Sequence, residues 1–370
     1  MKKDKINEKK LDFSMLITII ILLCMGILMV STASSYHALT IYEDSNYLLT
    51  RQLIFAIAGI VAMLVISRID YKIYKRWSYI AYAIALLLLI AVLTPLGVTV
   101  NGAKRWLGIG LLRFQPSEIM KMALVLATST YISLNVKKIN NFKGYIIPGL
   151  FIVLVVVVMF LQKHMSGTLV MLVASASIIF ASGIKIKARY IIGILLVGII
   201  AISAFIIAEP FRLKRILAFT NPEEDIRGDN WQAAQSLYAI GSGGLFGRGL
   251  GQSRQKYLWL PEAQNDFIFS VLGEEFGLAG TVIVLGVFTF FIYRGYRIAI
   301  TCKDLYGSLI ATGITSVFAV QIIVNIAVVT CSIPVTGMPL PFFSYGGTAL
   351  FINLCAMGIL LSVSRNCKNE

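Results

Sequence analysis

The chain has 370 residues, of which 58% are hydrophobic and only 14% are charged, with a formal net charge of +15. This composition is far from that of soluble domains and places the chain in a membrane. The positive charge is dispersed over several short segments and both tails, which excludes the single basic face expected of a nucleic-acid-binding protein.

Apolar runs long enough to cross a membrane recur along the whole chain. Their length, without alternating strand patterns, predicts an all-α helical bundle over a β-barrel. We expect one membrane domain over residues 1–370, with a large extracytoplasmic loop at 209–266 between the seventh and eighth spans. The ten predicted spans are 13–33, 52–68, 77–97, 116–134, 145–162, 166–183, 189–208, 276–293, 306–331 and 346–364.

The distribution of lysine and arginine predicts the orientation. If the N-terminus is cytoplasmic, the inner segments hold 20 of the 33 basic residues, whereas the short outer segments hold few. By the positive-inside rule both termini are expected in the cytoplasm, as tails at 1–12 and 365–370. The basic inner rim also favours contact with anionic membrane lipid.

The motifs of nucleotide and zinc sites are absent from the sequence. The glycine-rich run GSGGLFGRGLG at 241–251 lacks the Gly-Lys-Ser/Thr ending of a phosphate-binding loop, and a turn is the better interpretation. The chain has two histidines and no Cys-x-x-Cys or His-Glu-x-x-His pattern, and its five cysteines are expected to be small apolar fillers. Since the polar segments nearly all fall on the outer side, chemistry there is expected to use a substrate that carries its own activation.

The first outer element is NGAKRWLGIGLLRFQPSEIMK at 101–121. Pro116 suits the first turn of a helix, which places Glu118 and Lys121 three residues apart on one face. The two side chains either form a structural ion pair or contact a polar ligand. Upstream, Arg105 is a candidate for binding phosphate, with membrane anchoring beside Trp106 as the alternative.

The second element is the long loop. Arg212 and Arg215 add positive charge, and the segment WQAAQS at 231–236 places amides beside an aromatic ring, which suits a sugar. The candidate sugar contacts are Gln232, Gln235 and Ser236, and a solvated loop entering a helix fits nearly as well.

Four carboxylates lie within YLWLPEAQNDFIFSVLGEEFGLAG at 257–280. Pro261 is expected to open a helical stretch in which Glu262 and Asp266 share a face. The apolar residues that follow Asp266 are expected to desolvate it and to raise its proton affinity, as a general base requires. A helix-end cap is a serious alternative for Glu262 and a weaker one for Asp266.

The third element is PVTGMPLPFFSYGG at 334–347, whose three prolines and three glycines break any helix. Irregular backbone at membrane depth is tolerated only against protein or a water-filled cavity. We interpret this segment as a cavity wall with Ser344 as a possible polar contact, or as a structural hinge.

These motifs together resemble the SEDS proteins, the RodA, FtsW and SpoVE group, over essentially the whole chain. The resemblance rests on the ordered set NGAKRW, FQPSEIMK, WQAAQS, IGSGGLFGRGLG, LPEAQNDFIFSVLGEEFG and PVTGMPLPFFSYGG. It is slightly closer to the FtsW and SpoVE branch. It implies a multi-pass glycosyltransferase that polymerises lipid II into β-1,4-linked peptidoglycan strands, in elongation, division or sporulation, with a class B penicillin-binding protein as partner.

The resemblance also implies roles for particular residues. Asp266 matches the essential acid, as a base or a metal-linked carboxylate, and Glu118 and Lys121 match residues that line the central cavity. Arg105, Arg212 and Arg215 are candidates for the diphosphate on grounds of charge. A divalent cation, Mg²⁺ or Mn²⁺, could share that diphosphate, although the acids do not form a recognisable metal site, and no nucleotide is needed.

The chain departs from the family pattern after the fifth span. Many relatives carry Pro-Asp-x-Gly-Thr there, whereas this chain reads QKHMSGT at 162–168, with His164 where an acid is expected. We do not transfer a catalytic carboxylate role to His164.

Two rival functions remain open. A lipid II flippase would also need a polar cavity in broken helices, but the acids cluster at the outer face and few polar residues are evident in the inner half. A noncatalytic scaffold for a transpeptidase would leave Asp266 unexplained.

Overall fold

The structure, a computed structural model, describes residues 11–100, 103–109, 112–136, 142–183, 219 and 230–366. Within these ranges the chain forms ten α-helices and one small β-sheet. The helices are α1 (Phe13–Tyr42), α2 (Tyr47–Arg68), α3 (Lys72–Ala91), α4 (Pro116–Leu134), α5 (Phe142–Leu161), α6 (Met165–Ala181), α7 (Trp231–Ser242), α8 (Ile268–Thr301), α9 (Leu305–Val329) and α10 (Gly347–Asn366).

The predicted all-α membrane fold is confirmed. Six helices, α1, α2, α3, α8, α9 and α10, are long and apolar enough to cross a membrane, and α5 and α6 add shorter apolar stretches. The nine predicted spans that fall within the described ranges each coincide with a helix. The predicted span 189–208 and the first part of the 209–266 loop lie outside the described residues, and so does most of each tail.

A three-stranded antiparallel sheet lies between α3 and α4. It comprises β1 (Gly97–Val100), β2 (Ala103–Ile109) and β3 (Leu112–Phe114), with Val98 opposite Trp106 and Gly108 opposite Arg113. The sheet is a small addition to the all-α fold, and its strands of three to seven residues are too short for an alternating pattern to stand out in the sequence. Arg105 lies on β2 at the irregularity of the β1–β2 register, between Lys104 opposite Thr99 and Trp106 opposite Val98.

Helix α9 is the centre of the bundle and packs against α4, α6 and α8. Around it, α2 packs on α10 and α3 on α4. The segment between α9 and α10 enters the core, where Phe342 stacks on Phe318 with ring centroids 5.4 Å apart and meets Phe291 edge-on at 5.7 Å. The predicted irregular segment is therefore held rigidly by aromatic packing.

The bundle has two chemically different ends, here called the Asp12 end and the Asp266 end. At the Asp12 end, Asp12 accepts a hydrogen bond from the backbone N–H of Met15 at 3.0 Å, which caps α1, and pairs with Arg294. Asp304 likewise caps α9 and accepts a hydrogen bond from the Tyr71 hydroxyl at 2.9 Å. Such caps satisfy the free N–H groups of a helix start.

The cysteines follow the expectation only in part. Cys24, Cys331 and Cys355 are free thiols. Cys302, at the end of α8, is disulfide-bonded, so the expectation that all five cysteines are simple fillers is wrong at this position.

Candidate active site at the Asp266 end

Asp266 lies in the turn that precedes α8. The expected helix opened by Pro261 is wrong, because Glu262 has a left-handed backbone with φ of 56° and α8 begins only at Ile268. The backbone N–H of Asn265 donates to the carbonyl oxygen of Glu262 at 2.9 Å and closes a tight turn. The turn nevertheless brings Glu262 close enough to Asp266 for the two carboxyl groups to repel.

Asn325 on α9 holds the backbone around Asp266. Its side-chain nitrogen donates to the carbonyl oxygen of Asp266 at 2.8 Å and to that of Met338 at 2.7 Å. One buried amide therefore ties the turn before α8 to the irregular segment at 334–346. The attachment places the Asp266 side chain without occupying its carboxylate.

Ser344 forms a second link between these two segments. Its hydroxyl donates to the carbonyl oxygen of Asn265 at 2.6 Å and accepts from the backbone N–H of Leu340 at 2.7 Å. Since both functions of the hydroxyl are used within the protein, the geometry gives Ser344 a structural role, although it was predicted to bind substrate.

The Asp266 carboxyl group itself forms no hydrogen bond or ion pair with the residues that the structure describes. Burial and the nearby Glu262 carboxylate raise its pKa to about 7, although the positive charge of Arg105 acts in the opposite direction. The shift has the direction that the sequence predicted. Gly337 contributes to this site, since a Cβ atom there would lie 3.1 Å from Oδ2 of Asp266.

Arg105 reaches from the sheet to the turn between α5 and α6. Its Nη2 atom donates to the carbonyl oxygen of Lys163 at 2.5 Å, and its charge acts on both Asp266 and His164. It lies at the centre of what we call the Asp266 cluster, which consists of Arg105, Glu118, Lys121, His164, Glu262 and Asp266.

Glu118 and Lys121 lie in the first turns of α4, which begins at Pro116 as predicted. The Lys121 Nζ atom lies 2.8 Å from Oε2 of Glu118, and both residues are buried. The ion pair that was one of the two alternatives is present. It also leaves the Lys121 charge close enough to His164 to lower the pKa of the imidazole.

Glu274, one of the other acids of the 257–280 stretch, has a different environment. Its carboxylate accepts hydrogen bonds from the Ser253 hydroxyl at 2.6 Å and from the backbone N–H groups of Arg254 at 2.9 Å and Gln255 at 3.2 Å. These contacts fix the loop that precedes Asp266, so Glu274 is structural.

The glycine-rich run forms the turn that was expected, and this turn completes α8. The helix is broken at Gly277, which has a left-handed φ of 67°. The carbonyl oxygens of Gly244 and Leu245 accept from the N–H groups of Leu278 and Ala279 at 2.9 and 3.0 Å. In return, the N–H groups of Arg248 and Gly249 donate to the carbonyl oxygens of Glu274 and Glu275, each at 3.0 Å.

The predicted sugar contacts lie on α7. Ser236 is fully buried and its hydroxyl bonds to the Ser270 hydroxyl and the Val329 carbonyl, so it joins helices and is not open to a ligand. Gln235 is buried and Gln232 is partly exposed, and Trp231 donates from Nε1 to the carbonyl oxygen of Trp259 at 2.8 Å. Arg212 and Arg215 lie outside the described residues.

Sequence reasoning gave no role to His164 and Gly337. Gly337 approaches the Asp266 carboxyl group from a distant segment, and the charges of Arg105 and Lys121 act on His164 from other elements. The only signal in the sequence was the departure of the 162–168 segment from the pattern expected after the fifth span.

The comparisons with known proteins all identify the same family. Residues 13–369 match the cell cycle protein family that comprises FtsW, RodA and SpoVE. The chain is 42% identical to stage V sporulation protein E of Bacillus subtilis, over 96% of this chain and 97% of that one. It is 40% identical to a probable peptidoglycan glycosyltransferase FtsW of Trichlorobacter lovleyi, over 96% of this chain and 94% of that one.

Solved structures agree with the sequence comparison. A chain of a peptidoglycan synthase complex superposes with a TM-score of 0.80 at 26% identity, covering 97% of this chain and 99% of that chain. The rod shape determining protein RodA of Thermus thermophilus superposes with a TM-score of 0.72 at 28% identity, covering 97% and 98%. With sequence and fold in agreement over nearly its full length, this multi-pass membrane protein belongs to the FtsW, RodA and SpoVE family.

Proposed function

We propose that this chain is a peptidoglycan glycosyltransferase that polymerises lipid II, with Asp266 as the general base. The observation that carries the proposal is the Asp266 carboxyl group, desolvated, unpaired within the described residues and held by its backbone alone. The support from comparison is that relatives about 40% identical over nearly their full length carry that activity in their names.

The reaction follows from the chemistry of the substrate. Lipid II carries its disaccharide in α linkage on a diphosphate. Asp266 takes the proton from the 4-hydroxyl of the acceptor sugar as the oxygen of that hydroxyl attacks the anomeric carbon. The bond from that carbon to the diphosphate breaks, the diphosphate leaves with the electron pair, and a β-1,4 bond forms with inversion. A base with a pKa near the working pH is suited to this transfer.

The positively charged side chains of the Asp266 cluster are suited to stabilising the departing diphosphate. Arg105 and Lys121 lie at the same site, and cations that face a departing diphosphate stabilise the charge that develops on it. A divalent cation could share this task without occupying Asp266, since the oxygens of the diphosphate and of the Glu262 carboxylate are ligands of the kind that Mg²⁺ and Mn²⁺ accept. The described residues contain no group of three or more metal-ligating side chains, so substrate and water would supply the remaining ligands.

The proposal also includes a cellular location, an orientation in the membrane and a protein partner. We place the protein in the cytoplasmic membrane with both termini in the cytoplasm, so that the Asp266 end faces outward; the positive-inside distribution supports this orientation. A class B penicillin-binding protein is proposed as partner. The support is that the solved relative with a TM-score of 0.80 belongs to a complex that coordinates polymerization and crosslinking.

The test is polymerisation of labelled lipid II by the purified protein, with and without its cognate transpeptidase and with a divalent cation. Wild type should give glycan ladders, and Asp266→Asn should give none. Asp70→Asn, at the opposite end of the bundle, is the matched control and should keep activity.

Folding of Asp266→Asn can be checked separately. A folded-state pKa above the unfolded value stabilises the fold at low pH, and that stabilisation is lost as the pH rises through about 7. Asn lacks this titration, so the variant should be at least as stable as wild type at pH 8. Ladders from folded Asp266→Asn would remove Asp266 from the chemistry.

A flippase is the second candidate, and one observation favours it. Thr128 and Ser129 on α4 are fully buried towards the Asp12 end, and their hydroxyls have no partner among the described residues. The inner half is therefore more polar than the sequence analysis expected. Transfer of labelled lipid II across vesicles by wild type, without any ladder even in the presence of an active partner, would support transport instead.

A further inference from the structure

Asp12 and Arg294 give a common level from which depth in the membrane can be measured. Asp12 caps the start of α1 and pairs with Arg294 on α8, and these two helices pack against each other. A helix rises 1.5 Å per residue and the hydrocarbon core of a bilayer is about 30 Å thick, so each helix leaves the hydrocarbon about 20 residues beyond this level. On α1 this point is Thr32, which lies within the largely polar run 31–37.

The turn at 243–249, here called the glycine turn, lies close to that boundary on the Asp266 side. Its peptide groups bond to residues 274–279 of α8. Gly277, in the middle of this stretch, precedes Arg294 by about 17 residues, which is about 25 Å along the helix. Because the hydrocarbon is about 30 Å thick, the glycine turn is expected about 5 Å inside it, and any tilt of α8 brings the turn deeper.

The backbone of the glycine turn is suited to a lipid environment. Irregular backbone with free peptide groups is not tolerated against lipid. Here the carbonyl oxygens of residues 243–245 and the N–H groups of residues 247–249 are all hydrogen-bonded, mostly to the backbone of α8. Arg248 is the one charged residue of the turn, and its side chain is held within the protein by the carbonyl oxygen of Ser242 and by the Glu274 carboxylate.

The exposed side chains of the glycine turn are apolar. Phe246 is 83% exposed and Leu245 is 65% exposed. Next to them, the exposed surface of α8 continues with Leu278, Val282 and Ile283. Helix α8 is long and apolar enough to cross a membrane, so this face of the helix is suited to lipid. The apolar surface of the turn is continuous with it, which selects lipid over water as the neighbour of Phe246.

We propose that the glycine turn is inserted into the membrane, with Leu245 and Phe246 among the acyl chains of the leaflet on the Asp266 side. The loop predicted at 209–266 is then not wholly extracytoplasmic, since its 243–249 part contacts lipid. Because the turn is bonded to α8, this contact also fixes the depth of the helix that begins two residues after Asp266. The inference does not depend on the reaction that the protein catalyses.

Tryptophan emission of the purified full-length protein in nanodiscs tests this placement. Phe246→Trp keeps an aromatic side chain, and the emission that it adds to that of wild type should be lost in lipids brominated near the headgroup end of their acyl chains. Aqueous iodide should leave this added emission unchanged, because iodide does not enter hydrocarbon.

Two aromatic residues, each 45% exposed, provide matched controls. Phe290 lies on α8 about 6 Å from the level of Arg294, so Phe290→Trp is equally deep from the other side and should be quenched by the same lipids. Tyr42 ends α1 about 45 Å from the level of Asp12, beyond the headgroups, so Tyr42→Trp should be quenched by iodide instead.

The pattern of quenching decides the inference. Phe246→Trp should behave like Phe290→Trp, and behaviour like that of Tyr42→Trp would place the turn in water and overturn the proposal. Addition of the cognate transpeptidase should leave the lipid quenching of Phe246→Trp unchanged. Loss of that quenching would assign the surface to a protein partner and would overturn the proposal as well.

A charged substitution provides an independent measurement. Phe246→Asp places a carboxylate among acyl chains and should lower the melting temperature in nanodiscs by about 2 °C or more, whereas Phe246→Leu should leave it unchanged. Ile41→Asp is the control, since Ile41 is 57% exposed near the end of α1, outside the hydrocarbon, and its substitution should have a much smaller effect. Equal shifts in Phe246→Asp and Ile41→Asp would contradict the insertion of the turn.

Discussion

Asp266 and Glu274 are two carboxylates of the same short stretch, but the hydrogen-bonding environments of their carboxyl groups are opposite. Glu274 is surrounded by donors from the 253–255 loop. Asp266 has its backbone held by Asn325, but its carboxyl group has no partner among the described residues. A carboxylate whose hydrogen bonds are satisfied serves the fold, whereas one kept desolvated is available to chemistry. Four predictions test this difference between the two carboxylates.

The largest expected effect is on stability and belongs to Glu274. Glu274→Ala leaves the Ser253 hydroxyl and two backbone N–H groups without their acceptor, and should lower the free energy of unfolding by about 3 kcal/mol. Asp266→Ala removes no such acceptor and should cost much less. Thermal unfolding in one detergent measures both variants, and equal losses would contradict the division of roles.

The pH dependence of wild type should show the second effect. Only ionised Asp266 accepts a proton, and its pKa is raised to about 7. The value of kcat/KM should therefore be half-maximal near pH 7 and should fall about tenfold for each pH unit below, to about a hundredth of its plateau at pH 5. Initial rates of lipid II polymerisation across this range are the measurement. A profile that is flat from pH 5 to 8 would show that Asp266 is not the base.

A smaller effect is expected at Gly337. The Cβ atom of Gly337→Ala would lie 3.1 Å from Oδ2 of Asp266 and push the carboxyl group aside by a few tenths of an ångström. Misplacement of 1 Å costs about a hundredfold, so a loss of about tenfold in kcat is expected, with little change in stability. Gly286→Ala, on α8 with open space around it, is the control and should be neutral. Equal activity of the two variants would mean that Asp266 tolerates displacement.

The smallest effect is a shift of the pH profile in Glu262→Gln. Removing this negative charge lowers the pKa of Asp266, because the Glu262 carboxylate is one cause of its rise. The midpoint should move to lower pH by less than about one unit, and relative activity at pH 6 should rise about two- to threefold. A midpoint that stays in place would show that burial alone sets the proton affinity.

The sequence was sufficient to predict the fold, for an identifiable reason. Spans are determined by local composition, so α4 begins at Pro116 as predicted and each described span has its helix. The direction of the Asp266 pKa shift was predicted from the apolar residues that follow it in sequence, and burial is the largest cause of that shift.

Predictions that needed contacts between distant segments were less accurate. Ser236 was expected to contact a sugar and Ser344 was a possible polar contact of a cavity wall, but their hydroxyls bond to the carbonyl oxygens of Val329 and Asn265, 93 and 79 residues away. The helix expected to begin at Pro261 does not form, because the backbone of Glu262 is left-handed, a conformation that a glutamate does not favour. The pKa of His164 is lowered by burial first and then by the charges of Arg105 and Lys121 on other elements, a relation that no local pattern shows.

The turn at 243–249 has a practical consequence for tagging. A glycine-rich loop with exposed side chains such as Phe246 is the kind of site usually chosen for an inserted epitope or fluorescent domain. In this protein its peptide groups complete the broken α8, so an insertion there would open the helix that begins two residues after Asp266. Labels for microscopy are therefore better attached at the termini.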